Sequence, residues 1–402
     1  MQVSESRLMR RIALLAFAAF ASAMSIRIGD PQLPELARAF GAPISDVART
    51  ISAFSFAYGG MQLVYGPVGD RFGKFHVIAW ATLASIVGSL GSAAAGGIGT
   101  LVAFRVLTGA TAAAIIPLAM AWIGDHTQYE GRQAVLARFL TGQILGLACG
   151  QLMGGLLTDL IGWRSTFVFL AAVYAVSGLL LIREAGAGSG PDFFPRPATA
   201  LMPVHRQVLE VLRRAWARAI LAWVLVEGAA AFGAFAFAPT YLHQRFGLPL
   251  RMAGALMSLF GAGGLGYALF ARRFIGRFGE QGLALGGGLL LGAAYLTLAM
   301  APHPLWAAPA AAAAGLGFYM LHNTFQTHGT QMAPTVRGTA VAIFASSLFL
   351  GQAIGVDSAV HLAERIGARP VFLMAAAILV LVGASFSAVL RRRAALATAP
   401  AS

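Results

Sequence analysis

The chain has one cysteine, Cys149, and one lysine, Lys74, in 402 residues. A single thiol excludes an intrachain disulfide and a cysteine metal cluster. Charged residues make up only 11% of the chain, and just 15 are acidic. An ordinary soluble domain carries about 25% charged residues. With so little charge, a chain that is 58% hydrophobic cannot cover its own surface in water. A globular water-soluble protein is therefore excluded. The sequence also lacks Gly-x-x-x-x-Gly-Lys-Ser/Thr, which removes the support for phosphate-loop ATP chemistry. It lacks His-Glu-x-x-His and Gly-x-Ser-x-Gly, the signatures of a zinc protease and of a serine hydrolase. No enzyme activity, cofactor or metal is expected.

What fills the chain is long apolar stretches. Twelve are predicted as membrane-spanning helices: 12–29, 47–69, 76–95, 98–123, 134–158, 165–182, 219–241, 252–271, 282–301, 304–326, 338–360 and 370–390. Each has about the 18–25 residues that a helix needs to cross a bilayer. None alternates with the period of two that a barrel strand would show. Arg7, Arg10 and Arg11 ahead of the first stretch, with Ala21-Ser22-Ala23 inside it, imitate a cleaved signal. The apolar run continues past that site, so a first span is preferred.

The net charge of +14 could suggest nucleic acid as a partner. Its placement argues otherwise. With the N-terminus cytoplasmic, 20 of the 29 basic residues fall in cytoplasmic loops and tails, eight on the other side, and Arg105 lies within a span. That asymmetry predicts both termini inside, by the positive-inside rule. The charge is spread over many loops, so the expected surroundings are a lipid bilayer and not nucleic acid.

The longest polar stretch, 183–217, divides the spans into two sixes. It predicts a cytoplasmic linker, with a surface helix in its basic part, between bundles at 1–182 and 218–402. The halves repeat. Phe40-Gly41-Ala42-Pro43 recurs as Phe246-Gly247-Leu248-Pro249, and Arg71-Phe72-Gly73 as Arg277-Phe278-Gly279. Gly109 matches Gly315, Arg132 matches Arg337, and Gly146 and Gly150 match Gly351 and Gly355. Parallel repeats of this kind commonly enclose a midplane site and rock about it.

Gly66-Pro-Val-Gly-Asp70-Arg71-Phe-Gly73-Lys74, between spans two and three, resembles the signature loop of the major facilitator superfamily, Gly-x-x-x-Asp-Arg-x-Gly-Arg/Lys. Ser55 to Tyr65, and Asp30-Pro-Gln-Leu-Pro34, look like the twelve-span drug:proton antiporter branch. The resemblance implies an all-α membrane protein of two pseudo-symmetric halves. It implies a secondary transporter, proton-coupled and exporting a small amphipathic compound, in a bacterial inner membrane. A sugar or metabolite exporter, a proton symporter that imports a small organic solute, and a transport-inactive membrane sensor are the alternatives. A monomer with a small-molecule substrate and protons as partners is expected.

The loop also has its own physics. Arg71 and Lys74 can pair with carboxylates, of which Asp125 is a candidate. Asp70 can accept from backbone amides at a facing helix N-terminus. The resemblance implies a cytoplasmic gate that holds the outward-facing state. Arg105 resembles an arginine of the family's fourth helix that is associated with proton coupling or substrate polarity. Buried, it needs a partner. Arg27 and Asp30 share a face one turn apart, and Asp30 matches a carboxylate position of the antiporter branch. Glu227 lies deep in span seven, where a carboxylate suits a proton carrier or a binder of cations. Tyr58 and Gln62 share a face of span two. His322, Asn323 and Gln326 cluster on span ten, and Asn323 joins Tyr58 and Gln62 as a cavity-lining candidate. Gly142, Gly146, Gly150 and Gly154, with Gly155, form a small-residue stripe on span five. It resembles the family's antiporter motif, with Gln151 where that motif has proline, and is expected to serve as a packing or sliding surface.

Overall fold

The structure, a computed structural model, describes residues 5–127, 129–186 and 204–398. Residues 187–203 of the expected linker and the side chain of Arg132 lie outside the described residues. The first half holds α1 (Glu5–Arg27), α2 (Leu33–Phe40), α3 (Ile44–Phe72), α4 (Lys74–Ala93), α5 (Ile98–Ala112), α6 (Ile115–His126), α7 (Tyr129–Leu160) and α8 (Trp163–Gly186). After α9 (Val204–Arg213), the second half holds α10 (Ala215–Glu227), α11 (Gly233–Phe246), α12 (Leu250–Ser258), α13 (Phe260–Met300), α14 (Ala307–Gln331), α15 (Arg337–Ile366) and α16 (Ala368–Thr398). Helix is the form that lets an apolar segment satisfy its own backbone away from water.

Among the described residues, ten helical stretches are long and apolar enough to cross a membrane. Two features reconcile ten with the twelve predicted spans. Leu250–Met300 is one stretch of 51 residues, and its chain turns at Gly279, φ 59°, so it holds two spans. The 29-residue α3 is long enough but less apolar, because it turns Ser55, Tyr58 and Gln62 inward. Several spans are broken rather than straight. α1 gives way to a 3₁₀ turn at Asp30–Gln32, where Pro31 and Pro34 cannot continue the hydrogen-bond ladder. α10 gives way to a π-helical turn, Gly228–Phe232.

The repeat is physical. Among the described residues, positive φ occurs at six glycines, and they form three pairs: Gly41 with Gly247, Gly73 with Gly279, Gly162 with Gly367. A β-carbon on Gly109 would strike the carbonyl of Phe54, and one on Gly315 the carbonyl of Phe260. Likewise Gly146 and Gly150 lie on the carbonyls of Phe20 and Met24, and Gly351 and Gly355 on those of Leu225 and Ala229. Glycine and target are displaced together, so the same helix contacts are built twice.

The halves meet where α3 packs on α15 and α7 on α12. Among the described residues, hydrogen bonds cross this boundary at several points. Ser45 N donates to Glu364 at 2.9 Å and Arg251 N to Asp159 at 2.9 Å, both at the end opposite the Lys74 loop. Arg27 donates to Gln352, Gln352 to Ser55 Oγ, and Ser346 Oγ to the carbonyl of Gly59, all nearer mid-bundle. This seam thus runs from the far end to the middle of α3.

Candidate functional site

Among the described residues, two fully buried carboxylates, Asp30 and Glu227, organise the interior. Asp30 is fully buried, and its Oδ2 faces Arg27 Nη1 at 3.4 Å. Gln151 Nε2 donates to the same oxygen at 2.8 Å. Asp30 Oδ1 has no protein partner. The residue that stands where the antiporter motif has proline therefore serves as a ligand to the carboxylate. Arg27 is held from the other half as well. Its Nη2 donates to Gln352 Oε1 at 3.0 Å, and its guanidinium lies 4.1 Å from the centre of the Phe232 ring. Gln352 Nε2 donates onward to Ser55 Oγ at 2.7 Å. A charge buried this deeply requires both a counter-ion and hydrogen bonds, and Arg27 draws them from two halves of the molecule.

Glu227 ends α10 where the π-helical turn begins, and it too is fully buried. It shares a 2.8 Å hydrogen bond with His322 Nδ1, and its Oε1 has no protein partner. His322 stacks on Phe318, ring centres 4.8 Å apart and 13° from parallel. Phe318 also touches Phe232, 4.8 Å between ring centres. The two carboxylate sites are thus joined by a short aromatic path through Phe232 and Phe318.

Arg105 is buried and finds its partners on the backbone. Its guanidinium donates to the carbonyls of Ser25 (3.1 Å) and Thr50 (3.4 Å) and covers the Phe54 ring at 4.1 Å. It ties α1, α3 and α5 together beside Gly29, which is a structural use of the charge. Tyr58 is bonded to Ser22 Oγ at 3.1 Å and packs on Phe349 of the other half. Gln62 is buried with its Oε1 unpartnered. Asn323 stands beside the Tyr267 hydroxyl. Asp357 and His361 form a half-exposed local pair at 3.8 Å.

At the loop, Lys74 Nζ lies 2.7 Å from Asp125 and 3.1 Å from Asp70. Lys74 thus holds Asp70, and the Arg71 guanidinium lies over the Phe72 ring. Gly69 packs on Leu118, and the positive φ of Gly73 turns α3 into α4, while Gly66 faces open space. The corresponding second-half loop has Glu280 where the first has Lys74, and Glu280 bonds His328 at 3.1 Å. On span five, Gly142, Gly146, Gly150 and Gly154 pack on Ala16, Phe20, Met24 and Ile28 of their own half. Gly155 alone of the stripe lies on Leu250 of the other half, reciprocated by Gly254 on Gln151. The stripe is a packing motif, and its interhalf role falls to Gly155.

A sequence profile described as Major Facilitator Superfamily matches residues 15–356. The chain belongs to the major facilitator superfamily. It is thus a multi-pass membrane transporter, in a family of transporters rather than enzymes. An uncharacterised MFS-type transporter of Bacillus subtilis (strain 168), YceJ, is 25% identical over 360 residues, covering 87% of this chain and 88% of that one. A citrate exporter of Aspergillus niger is 28% identical over 44% of this chain and 34% of that protein. A chloramphenicol resistance protein of Pseudomonas aeruginosa is 30% identical over 35% of this chain and 34% of that protein. The matched region is therefore about a third of the length of those two. A crystal structure of the nucleoside transporter NupG superposes with TM-score 0.75 at 15% identity, covering 95% of this chain and 99% of that one. A peptide transporter, POT, superposes with TM-score 0.76 at 16% identity, covering 95% and 94%. The likeness to both is one of fold.

Sequence reasoning missed Gln352 and the pairing of Glu227 with His322. A polar residue inside an apolar span was the available signal for both, but it does not name a partner 325 residues away.

Proposed function

We propose that this chain is a secondary active transporter that exports a small amphipathic compound, drug-like or metabolite, in exchange for protons. Residues 1–182 and 218–402 are the halves that rock, joined by 183–217. The Lys74 end is cytoplasmic, as are both termini, and the protein works as a monomer in a bacterial inner membrane. Relatives named as resistance proteins, efflux pumps and exporters support export.

The observation that carries the proposal is the Arg27–Asp30 pair clamped across the halves by Gln352 and Phe232. An antiporter must hold still when empty. With Asp30 ionised and no substrate bound, Arg27 is compensated and the far end of the seam stays shut. A proton on Asp30 removes that compensation, and an unpaired buried guanidinium costs several kcal/mol. A substrate that contacts the pair has the same effect by competing for it. Either ligand releases the clamp, and neither crosses unexchanged.

Glu227 with His322 is a second proton site in the other half. Arg105 keeps the helices around Asp30 in place, and Tyr58, Gln62 and Asn323 line the cavity. Asp70, Arg71, Lys74 and Asp125 act at the cytoplasmic gate.

The test is transport in proteoliposomes with an imposed pH gradient, using a compound found by thermal-stabilisation screening. Asp30→Asn is expected to lose gradient-driven flux while retaining substrate exchange. Full gradient-driven flux in this variant would refute the proposal.

A further inference from the structure

Helix α9 is distinct from the spans. It is ten residues long, and its exposed face carries Arg206, Leu209 and Arg213, spaced three and four apart, with His205 and Leu212 beside them. Leu209 is 48% exposed and Leu212 40%. The opposite face is sealed by Val211, which is fully buried. Two leucines framed by arginines, facing outward on a helix already packed on its other side, are not a core surface.

The helix is firmly mounted. The Arg218 guanidinium donates to the carbonyls of Leu212 (2.8 Å) and Arg213 (3.0 Å), which caps the end of α9 from the first turn of α10. Thr339 Oγ1 in the first turn of α15 donates to Gln207. Arg214 pairs with Glu210, the one acid on α9, and so cancels it. A single residue, Arg214, separates α9 from α10, which begins a stretch long and apolar enough to span the membrane. α9 is therefore mounted one residue from the end of a span.

We infer that α9 docks on the bilayer surface through anionic phospholipid headgroups. Leu209 and Leu212 enter the acyl boundary, and Arg206 and Arg213 pair with lipid phosphates. Each of these arginines favours the docked arrangement roughly fivefold.

The test uses the full chain with Cys149→Ser and Leu209→Cys, labelled with an environment-sensitive fluorophore. It is reconstituted in phosphatidylcholine vesicles with and without a quarter of phosphatidylglycerol, each with brominated acyl chains. Bromine quenching is expected to rise with phosphatidylglycerol, fall with added salt, and lose its dependence on phosphatidylglycerol in Arg206→Gln/Arg213→Gln. That readout requires no transport. A label equally open to aqueous iodide in both vesicles overturns the inference and leaves a soluble acidic partner as the occupant of this face. A label quenched by bromine equally with and without phosphatidylglycerol overturns the anionic-headgroup part of it.

Discussion

Arg27 donates to Gln352 at 3.0 Å, although 325 positions separate them in the chain. The bond joins the first span of one half to the fifth span of the other, and the same guanidinium neutralises Asp30. One side chain therefore holds both the buried carboxylate and a contact between the halves.

Gln352→Ala removes a neutral acceptor from a buried charged donor. Such a bond contributes about 1.5–3 kcal/mol, which corresponds to roughly a 10- to 100-fold change in the balance between shut and open far ends. Ser45 is buried in the seam beside Glu364. Ser45→Cys in a Cys149→Ser background is expected to react with a membrane-impermeant thiol reagent about tenfold or more faster once Gln352 is replaced. Unchanged reactivity would show that Gln352 is not a clamp.

Glu227→Gln preserves the shape of the side chain and its hydrogen bond with His322, but it cannot carry a proton. Melting behaviour is expected to stay close to that of the parent while pH-gradient-driven uptake into proteoliposomes drops. Glu227→Leu leaves the buried side of His322 unpaired and is expected to cost a further ~1–3 kcal/mol of stability. Full gradient-driven uptake in Glu227→Gln removes Glu227 from the coupling machinery.

Gly146→Leu forces a side chain against the carbonyl of Phe20. Overpacking of this kind costs about 1–3 kcal/mol, so the detergent-solubilised variant is expected to melt earlier. Gly60→Ala is the control, since a β-carbon there meets nothing within 4 Å. That change is expected to be neutral or slightly stabilising, because alanine favours helix by up to about 1 kcal/mol. Equal melting of the two variants would contradict the packing described for α1 and α7.

Lys74→Met removes the bridge from Asp70 to Asp125. The three side chains are 22%, 53% and 41% exposed, so water screens the pair and less than about 1 kcal/mol of stability is expected to be lost. Transport rate is expected to fall nonetheless, because the bridge fixes the angle between α3, α4 and α6 at the gate. A rate equal to the parent's would assign the loop to topology alone.

Much of this architecture is legible one residue at a time. The lengths of apolar runs mark helices, since only a helix of that length satisfies its backbone across a bilayer. The ordered series of matched glycines marks the repeat, and each matched glycine whose packing is described meets a carbonyl displaced by the same offset. The Arg27–Asp30 pair is visible because its two members are three apart on one helix face. The pair of Lys74 with Asp125 could be proposed because both lie at the same end of adjacent spans.

Other parts are not legible, because they depend on contacts between residues distant in the chain. Arg105 reads as a buried charge in need of a partner. The fold supplies carbonyl oxygens of Ser25 and Thr50, and which carbonyls these are leaves no trace in a sequence because every residue has one. Gln151 reads as the loss of a proline kink, and only the packing of α7 beside the 3₁₀ turn makes it a donor to Asp30.

By itself, the sequence determined twelve spans, two repeated halves and the positions of the few deep charges, because hydrophobic length, periodicity and self-similarity are properties of the chain alone. The tertiary structure decided the partner of each deep charge, because Coulomb and hydrogen-bond energies depend on distance and burial, and helix packing alone sets both.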